Sequence, residues 1–370
     1  MKKATVYFTN LRTSPGHNLL HKLEALVKKA GFEQLDLQDK LVAIKIHFGE
    51  PGNLAYLRPN YAAQIVKLIK EAQGMPFLTD SNTLYTGKRA NAVDHLQAAF
   101  ENGFNPMATG CNVIIADGLR GYDYKDIEIN CKNCKTAKIG TAIAEADVVI
   151  SLNHFKGHEM TGFGGAIKNL GMGSGSRGGK LDMHSGSKPQ IDIKNCIACG
   201  KCIKNCSQGA IHFNAGKKAE IDYEKCIGCG QCIFICRDDA AQVREGQSSD
   251  VSSEKIAEYA YAVVKDKPSF HVNFIMNVSP DCDCFYLNDL PIVPDIGIAA
   301  SFDPVALDRA CVDLVNQAPV MKGSILDEKH YREGEDKFTC IHPKTSWKVG
   351  LNHAEEIGLG TQEYELITIK

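Results

Sequence analysis

Eight of the fifteen cysteines fall between Cys196 and Cys236, in two copies of one spacing. The first copy is Cys196, Cys199, Cys202 and Cys206; the second is Cys226, Cys229, Cys232 and Cys236. Each reads C-x2-C-x2-C-x3-C. Three thiolates this close together cannot all reach disulfide geometry. They can wrap three corners of a [4Fe–4S] cubane, because tight turns at the small residues between them point successive sulfurs inward. With this spacing the fourth cysteine of each run ligates the other cluster. The expected ligand sets are Cys196, Cys199, Cys202 and Cys236 for one cluster, and Cys206, Cys226, Cys229 and Cys232 for the second. Zinc is disfavoured, since its sites pair the C-x2-C unit rather than triple it.

The flanks repeat as well. Ile-Asp-Ile-Lys-Asn-Cys at 191–196 matches Ile-Asp-Tyr-Glu-Lys-Cys at 221–226, which points to a duplicated half-domain. The whole pattern is similar to that of a bacterial-type two-cluster ferredoxin. One departure is that Ser207 and Arg237 stand after the fourth cysteines, where such ferredoxins usually carry Pro. A backbone N–H is thereby freed beside each cluster.

The residues just before this unit are chemically dense. Segment 154–186 holds ten glycines from Gly157 to Gly186, together with His154, His158, His184, Lys156, Lys168, Lys180 and Arg177. Glycine allows close backbone approach and positive φ, and backbone N–H groups in such loops form anion-binding nests. The segment therefore reads as a cationic loop for a phosphate, carboxylate or charged cofactor. It is neither a G-x-G-x-x-G turn nor a Walker loop; the bland alternative is a linker.

Strand and helix patterns alternate around these motifs. Strands are expected at Thr5–Thr9, Leu41–Phe48, Pro76–Asp80, Asn112–Asp117 and Asp147–Asn153, with a short edge strand at Ile127–Ile129. Helices are expected at Asn18–Ala30, Tyr61–Ala72, Lys88–Asn102 and Ile139–Ala146. The same grammar resumes after the cysteine repeat, with an Asp303-Pro304 helix start. Such alternation predicts an α/β fold with a mostly parallel sheet. The two-[4Fe–4S] unit, 187–246, is expected as a cassette inserted between 1–186 and 247–370. His47, Asp80, Asp117 and His154 then fall at carboxyl ends of strands, where open α/β sheets bind ligands.

Several segments carry a resemblance: HFGEPGN (47–53), DSNTLYTGKR (80–89), HFKGHEMTGFGGAIKNLGMG (154–173), SRGGKLDMH (176–184) and PDIGIAASFDPVALDRACVDL (294–314). They resemble domain-of-unknown-function family 362, often fused to a two-cluster ferredoxin. The glycine-rich segment is also similar, distantly, to the nickel-pincer lactate racemase family. That family has a His…Gly-Phe-x-Gly-Gly-x-Lys stretch and a later His. His158, Gly162-Phe163-Gly164-Gly165, Lys168 and His184 occupy comparable places, with spacing shifted by a residue. The resemblance implies that His158, Lys168 and His184 surround a bound cofactor or substrate; neither nickel nor racemisation is carried over.

Two further cysteine pairs, Cys131/Cys134 and Cys282/Cys284, can form a four-thiolate site if the fold unites them; a redox dithiol and incidental thiols are the alternatives. Net charge is −2, which argues against nucleic acid as a partner. No apolar run of membrane-spanning or signal length is present, so a cytoplasmic, reduced setting is expected. The reading that unites these features is an iron–sulfur oxidoreductase. A donor such as ferredoxin or flavodoxin, docking by Lys201 and Lys204, reduces two [4Fe–4S] clusters. Electrons pass to an unidentified small-molecule substrate, or a further metal or small-molecule cofactor, in the crevice. His154, His158, Lys168, Arg177 and His184 are the expected catalytic groups, with Gly162, Gly164, Gly165, Gly171, His47 and Asp80 around the bound molecule. An electron-transfer or maturation module without its own substrate, and a non-redox isomerase or ligand-binding domain with a structural or sensory ferredoxin, are the other readings. Anaerobically prepared protein should carry roughly eight iron atoms per chain; iron and sulfide below about one cluster per chain would contradict the ligand assignment.

Overall fold

The computed structural model describes residues 3–84, 87–184, 189–206, 208–226, 232, 236, 238, 240–243 and 248–369. Cys229, Ser207 and Arg237 lie outside the described residues, as do 185–188 and 244–247 at the expected ends of the inserted unit. The main sheet has eight strands: β1 (Ala4–Asn10), β2 (Leu41–Ile46), β3 (Met75–Asp80), β4 (Asn112–Ile115), β5 (Val148–His154), β6 (Ser269–Ile275), β7 (Gly297–Ser301) and β8 (Tyr364–Ile369). Their order is β8-β1-β7-β6-β5-β2-β3-β4. Only β7 runs antiparallel to its neighbours, so the fold is an α/β fold with a mostly parallel sheet.

Eight helices matter for the site and its support: α1 (Leu19–Lys29), α2 (Pro59–Glu71), α3 (Ala92–Glu101), α4 (Ala166–Ser174), α5 (Arg177–His184), α6 (Ser248–Val264), α7 (Pro304–Gln317) and α8 (Trp347–Glu356). Their starts follow local chemistry. Asn18, Asn91 and Asp303 each accept N–H bonds from the first turn, and Pro304 sits at the first helical position of α7.

The two faces of the sheet differ. Val42, Ile44, Ile46, Val148, Ile150, Leu152, Val272 and Phe274 form one apolar core with α1 and α2. The intervening residues point the other way, as strand alternation requires. On that face Lys45, Ser151, His271 and Ser301 are register partners across four strands, and all are buried. This polar row lies under the side of the sheet where α4, α6, α7 and α8 pack.

Three expectations need correction. Segment 154–184 is not a loop: it forms a hairpin (Lys156–His158 with Gly162–Gly164) followed by α4 and α5. Its glycines serve close packing, since a Cβ on Gly171 would collide with the Ile256 carbonyl of α6. Ile139 is not helical but lies in a strand, Thr136–Gly140, and the helix is confined to Thr141–Glu145. That strand pairs with Tyr124–Glu128, so the strand expected at 127–129 belongs to a separate hairpin and not to an edge of the main sheet.

Among the described residues between 189 and 243, Ile211, Ala219, Ile221, Ala240 and Ala241 form a small separate core with Cys196 and Cys232. Pro189–Ile191 pairs antiparallel with Ala241–Val243, so this unit leaves and rejoins the chain at adjacent points.

Gly171→Ala should lower stability by about 1–3 kcal/mol through forced separation of α4 and α6, outweighing the ~1 kcal/mol that Ala gains over Gly in a helix. Gly350 in α8 has room, with Ser253 3.5 Å from an added Cβ. Gly350→Ala should therefore leave the urea midpoint unchanged or raise it. Equal midpoints for the two variants would contradict the packing account.

Candidate functional site

The carboxyl ends of β2, β3 and β5 meet the hairpin, α4 and α5 around one cleft. It encloses about 970 Å³ of empty space, including its open mouth. Its wall includes His47, Asp80, His154, His158, Lys168 and His184.

One side of the cleft is a buried charge cluster. Lys45 Nζ lies 2.8 Å from Asp80 Oδ1 and donates to Asn169 Oδ1 at 2.6 Å. Arg89 pairs with Glu50 at 2.9 Å and donates from Nη1 to His47 Nε2 at 2.8 Å. A guanidinium can only donate, so that nitrogen of His47 accepts and the ring is neutral. Burial and the Arg89 charge push His47 down to about 3. Burial alone would raise Asp80, but the Lys45 charge overrides it and holds the carboxyl well below the usual range. Asp80 Oδ2 remains 3.7 Å from both Arg89 and His95, past hydrogen-bond length.

Asp117 and Lys180 stand beside this cluster. Burial raises Asp117 to about 6, against the Lys180 charge. Burial lowers Lys180 to about 8, against Asp117 and Asp80. Asp117 accepts two bonds from Asn82 on Oδ1, at 2.9 and 2.8 Å. Asp117 Oδ2 and Asp80 Oδ2 are buried with no hydrogen-bond partner among the described residues. A water or ligand donor is the ordinary partner for such oxygens.

The opposite side is built around Cys282-Asp283-Cys284. Asp283 is buried and bonds His154 Nδ1 at 2.9 Å, with Lys156 Nζ 3.6 Å away. Lys168 Nζ donates to Cys282 Sγ at 3.7 Å. His158 Nδ1 accepts from Met160 and Thr161, which leaves Nε2 to face Cys282 and Glu159. Burial, then Lys168 and His158, lower His184 to about 4, so it enters the cleft neutral.

α4 is seated by two devices. Its first N–H groups, Ala166 and Ile167, donate to the two carboxylate oxygens of Asp308 at 2.7 and 2.9 Å. Asn169 donates to the carbonyls of Lys45 and Leu152 and to Asn153 Oδ1. The glycine-rich backbone at 165–167 is thus satisfied internally and offers no anion nest there.

The structure brings His47, Asp80, His154, His158, Gly165, Lys168 and His184 to one cleft. It places other expected residues elsewhere. Arg177 begins α5 and packs against Gly121. Gly162 lies against Trp347, and Gly171 lies in the α4–α6 contact. Gly164 lies against two cleft lysines, where an added Cβ would sit 3.4 Å from Lys168 Cδ and 3.5 Å from Lys156 Nζ. Cys131 and Cys134 flank a turn whose backbone donates to Glu258 of α6, whereas Cys282 and Cys284 line the cleft. The two pairs are therefore not gathered into one group. Lys45, Glu50, Arg89 and Asp283 were not expected in the site. The one local signal was Lys45, a lysine inside an apolar strand run.

The cysteine repeat has its own geometry. Cys196, Cys199, Cys202 and Cys236 line one hollow with about 370 Å³ of empty space. Backbone N–H groups of Ala219, Ala210 and Ala241 point at the sulfurs of Cys196, Cys206 and Cys236. Among the described residues no three His, Cys, Asp or Glu close on a single-ion site. The four thiols share the lining of that hollow with apolar residues such as Ile191, Ile197 and Ala219.

A thylakoid-associated protein of Synechocystis sp. is 28% identical over 120 residues, covering 32% of this chain and 34% of that protein's length. The lactate racemase apoprotein from Thermoanaerobacterium thermosaccharolyticum overlaps with a TM-score of 0.36 at 13% identity, over 73% of this chain and 50% of the other. A structural-genomics target from Thermotoga maritima overlaps with a TM-score of 0.39 at 11% identity, over 83% and 61%. The model of one family, described as a domain of unknown function, matches residues 42–313. That match spans well over half of the chain, which therefore belongs to the DUF362 family.

Proposed function

We propose that the chain is an iron–sulfur oxidoreductase that delivers electrons to an anionic small molecule in the cleft. The observation that carries this reading is the hollow ringed by Cys196, Cys199, Cys202 and Cys236. Spacing alone had named those four as one ligand set. Cys206, Cys226, Cys229 and Cys232 hold the second cluster, and residues 187–246 form the inserted two-[4Fe–4S] ferredoxin unit. When bound, the clusters supply single electrons at low potential.

The chain's own residues do the rest. Lys168 and Lys156 stand at the cleft floor and bind negative charge. Lys180, at about 8, is poised to give or take a proton near neutral pH. His184, on the cleft wall, is separated by only four residues of sequence from the strand Pro189–Ile191 that opens the cysteine unit. Cys199 is exposed, and Lys201 and Lys204 beside it are exposed as well. They form a docking face for an acidic donor such as a ferredoxin or flavodoxin. The setting proposed is cytoplasmic; no helix among the described residues is long and apolar enough to cross a membrane.

Lys168→Ala separates an enzyme from an electron carrier. Both clusters should remain and still be reduced, as read by EPR of anaerobic protein. Complementation of a deletion strain, followed by untargeted metabolite comparison, should drop by about 10²–10³-fold, the usual loss of one charge-stabilising group. Full complementation by Lys168→Ala would sink the substrate-binding role.

A further inference from the structure

Cys282 and Cys284 take no part in the two cluster ligand sets, yet they occupy the cleft. We propose that they form a reversible dithiol–disulfide couple, with Cys282 as the attacking thiolate, that reduces an anionic small-molecule disulfide. The inference rests on the oxidoreductase reading only for the source of its electrons.

Four observations converge. Both side chains line the cleft, and one thiol hydrogen-bonds the other. Residues two apart span at most about 7 Å along the chain, which lies at the edge of the Cα separation a disulfide bridges. Asp283, between them, is buried and tied to His154 and Lys156. Phe285 N–H donates to the Cys282 carbonyl at 3.1 Å, which closes the turn. The pair is thus held in place.

The third observation is asymmetry. Of the two sulfurs it is Cys282 Sγ that accepts from Lys168 Nζ, at 3.7 Å, and the Lys168 and Lys156 charges favour the thiolate there; the Cys284 thiol is left as its hydrogen-bond donor. Cys284, as that donor, keeps its proton and is raised. Exchange chemistry needs this division, a thiolate that attacks and a neighbouring thiol that resolves. Elsewhere burial makes thiols inert: Cys134 is pushed up to about 12, and Cys311 is raised as well. Fourth, Lys156, Lys168 and Lys180 all line the cleft, which selects a disulfide bearing carboxylates.

The chemistry balances. The Cys282 thiolate attacks one sulfur of RSSR, and RS⁻ leaves and is protonated. Cys284 then attacks the mixed disulfide, loses its proton and expels the second RS⁻. Overall, thiolate, thiol, RSSR and one proton give the internal disulfide and two RSH. The clusters, if bound as proposed, would supply one electron each, and these two electrons with one proton would restore the Cys282 thiolate and the Cys284 thiol.

Anaerobic holoprotein is mixed with oxidised glutathione, an anionic disulfide, or with cystamine, a cationic one. Samples are acid-quenched and alkylated, and the 282–284 peptide is read by mass spectrometry. Glutathione disulfide should convert the pair to its internal disulfide about tenfold faster than cystamine. Cys284→Ser should trap a glutathione adduct on Cys282, and Lys168→Ala should slow conversion. Stoichiometric reduction of the clusters should then reopen the bond, with loss of the reduced-cluster EPR signal. Two alkylated cysteines after glutathione disulfide treatment, in protein whose clusters reduce normally, would overturn the inference and leave the oxidoreductase reading standing. Equal rates with the two disulfides would overturn the anionic specificity, and a disulfide that reduced clusters leave closed would overturn the electron source. Protein without clusters would sink the oxidoreductase reading, and the pair would then be judged by its disulfide alone.

Discussion

The seating of α4 is the constraint on which the site depends. A helix N-terminus leaves N–H groups without intrahelical partners. Here Asp308 of α7 takes two of them, and Asn273 of β6 donates to the same carboxylate at 2.7 Å. Burial raises Asp308 to about 6, so it is ionised at neutral pH and meets the positive end of the helix. One turn further, Asn169 ties α4 to the carboxyl ends of β2 and β5. With both points fixed, Lys168 has little choice but to face Cys282. The glycines of the segment make this possible, since they let α4 sit directly on α6.

Around that helix the cleft holds an unusual density of buried charge. Lys45, Arg89, Lys156 and Lys180 stand against Asp80, Glu50, Asp283 and Asp117. Such pairs contribute little net stability compared with apolar packing, although removing one partner costs about 3–5 kcal/mol. A fold that needed only a core would fill these positions with aliphatic side chains, as the opposite face of the sheet does with Val42, Ile44 and Ile46. We propose that this charge preorganises the cleft for a charged guest; the two orphaned carboxylate oxygens, Asp80 Oδ2 and Asp117 Oδ2, mark where a donor group of that guest or a water would be received.

The sheet was legible because strand residues recur with clear period and the strand ends carry His47, Asp80 and His154. The repeat of the cysteine spacing was legible, and the structure brings Cys196, Cys199, Cys202 and Cys236 to one hollow; the cluster ligand sets remain our proposal. The helices at 166–184 were not, because glycine weakens helix propensity and its use here is tertiary contact with Ile256, which no local pattern reveals. Ile139 was misread because a short apolar run cannot separate helix from strand without its partner, Lys125 in the opposite strand. Spacing allowed Cys131 and Cys134 to share a site with Cys282 and Cys284 only if the fold united them, and long-range topology places the first pair against Glu258 of α6 and the second in the cleft. Asp283 and Glu50 carried no local signal, since what matters in each is the distant partner it holds.

The central proposal is that the lysines of the cleft bind an anionic small molecule. A crystal structure of protein purified and frozen anaerobically tests that claim most directly. The account predicts clusters on the eight cysteines and density for an anionic molecule bonded to Lys168 Nζ between Cys282 and His184. Occupied cluster sites beside a closed, empty cleft, with its lysines paired only to Asp80, Asp117 and Asp283, would contradict it.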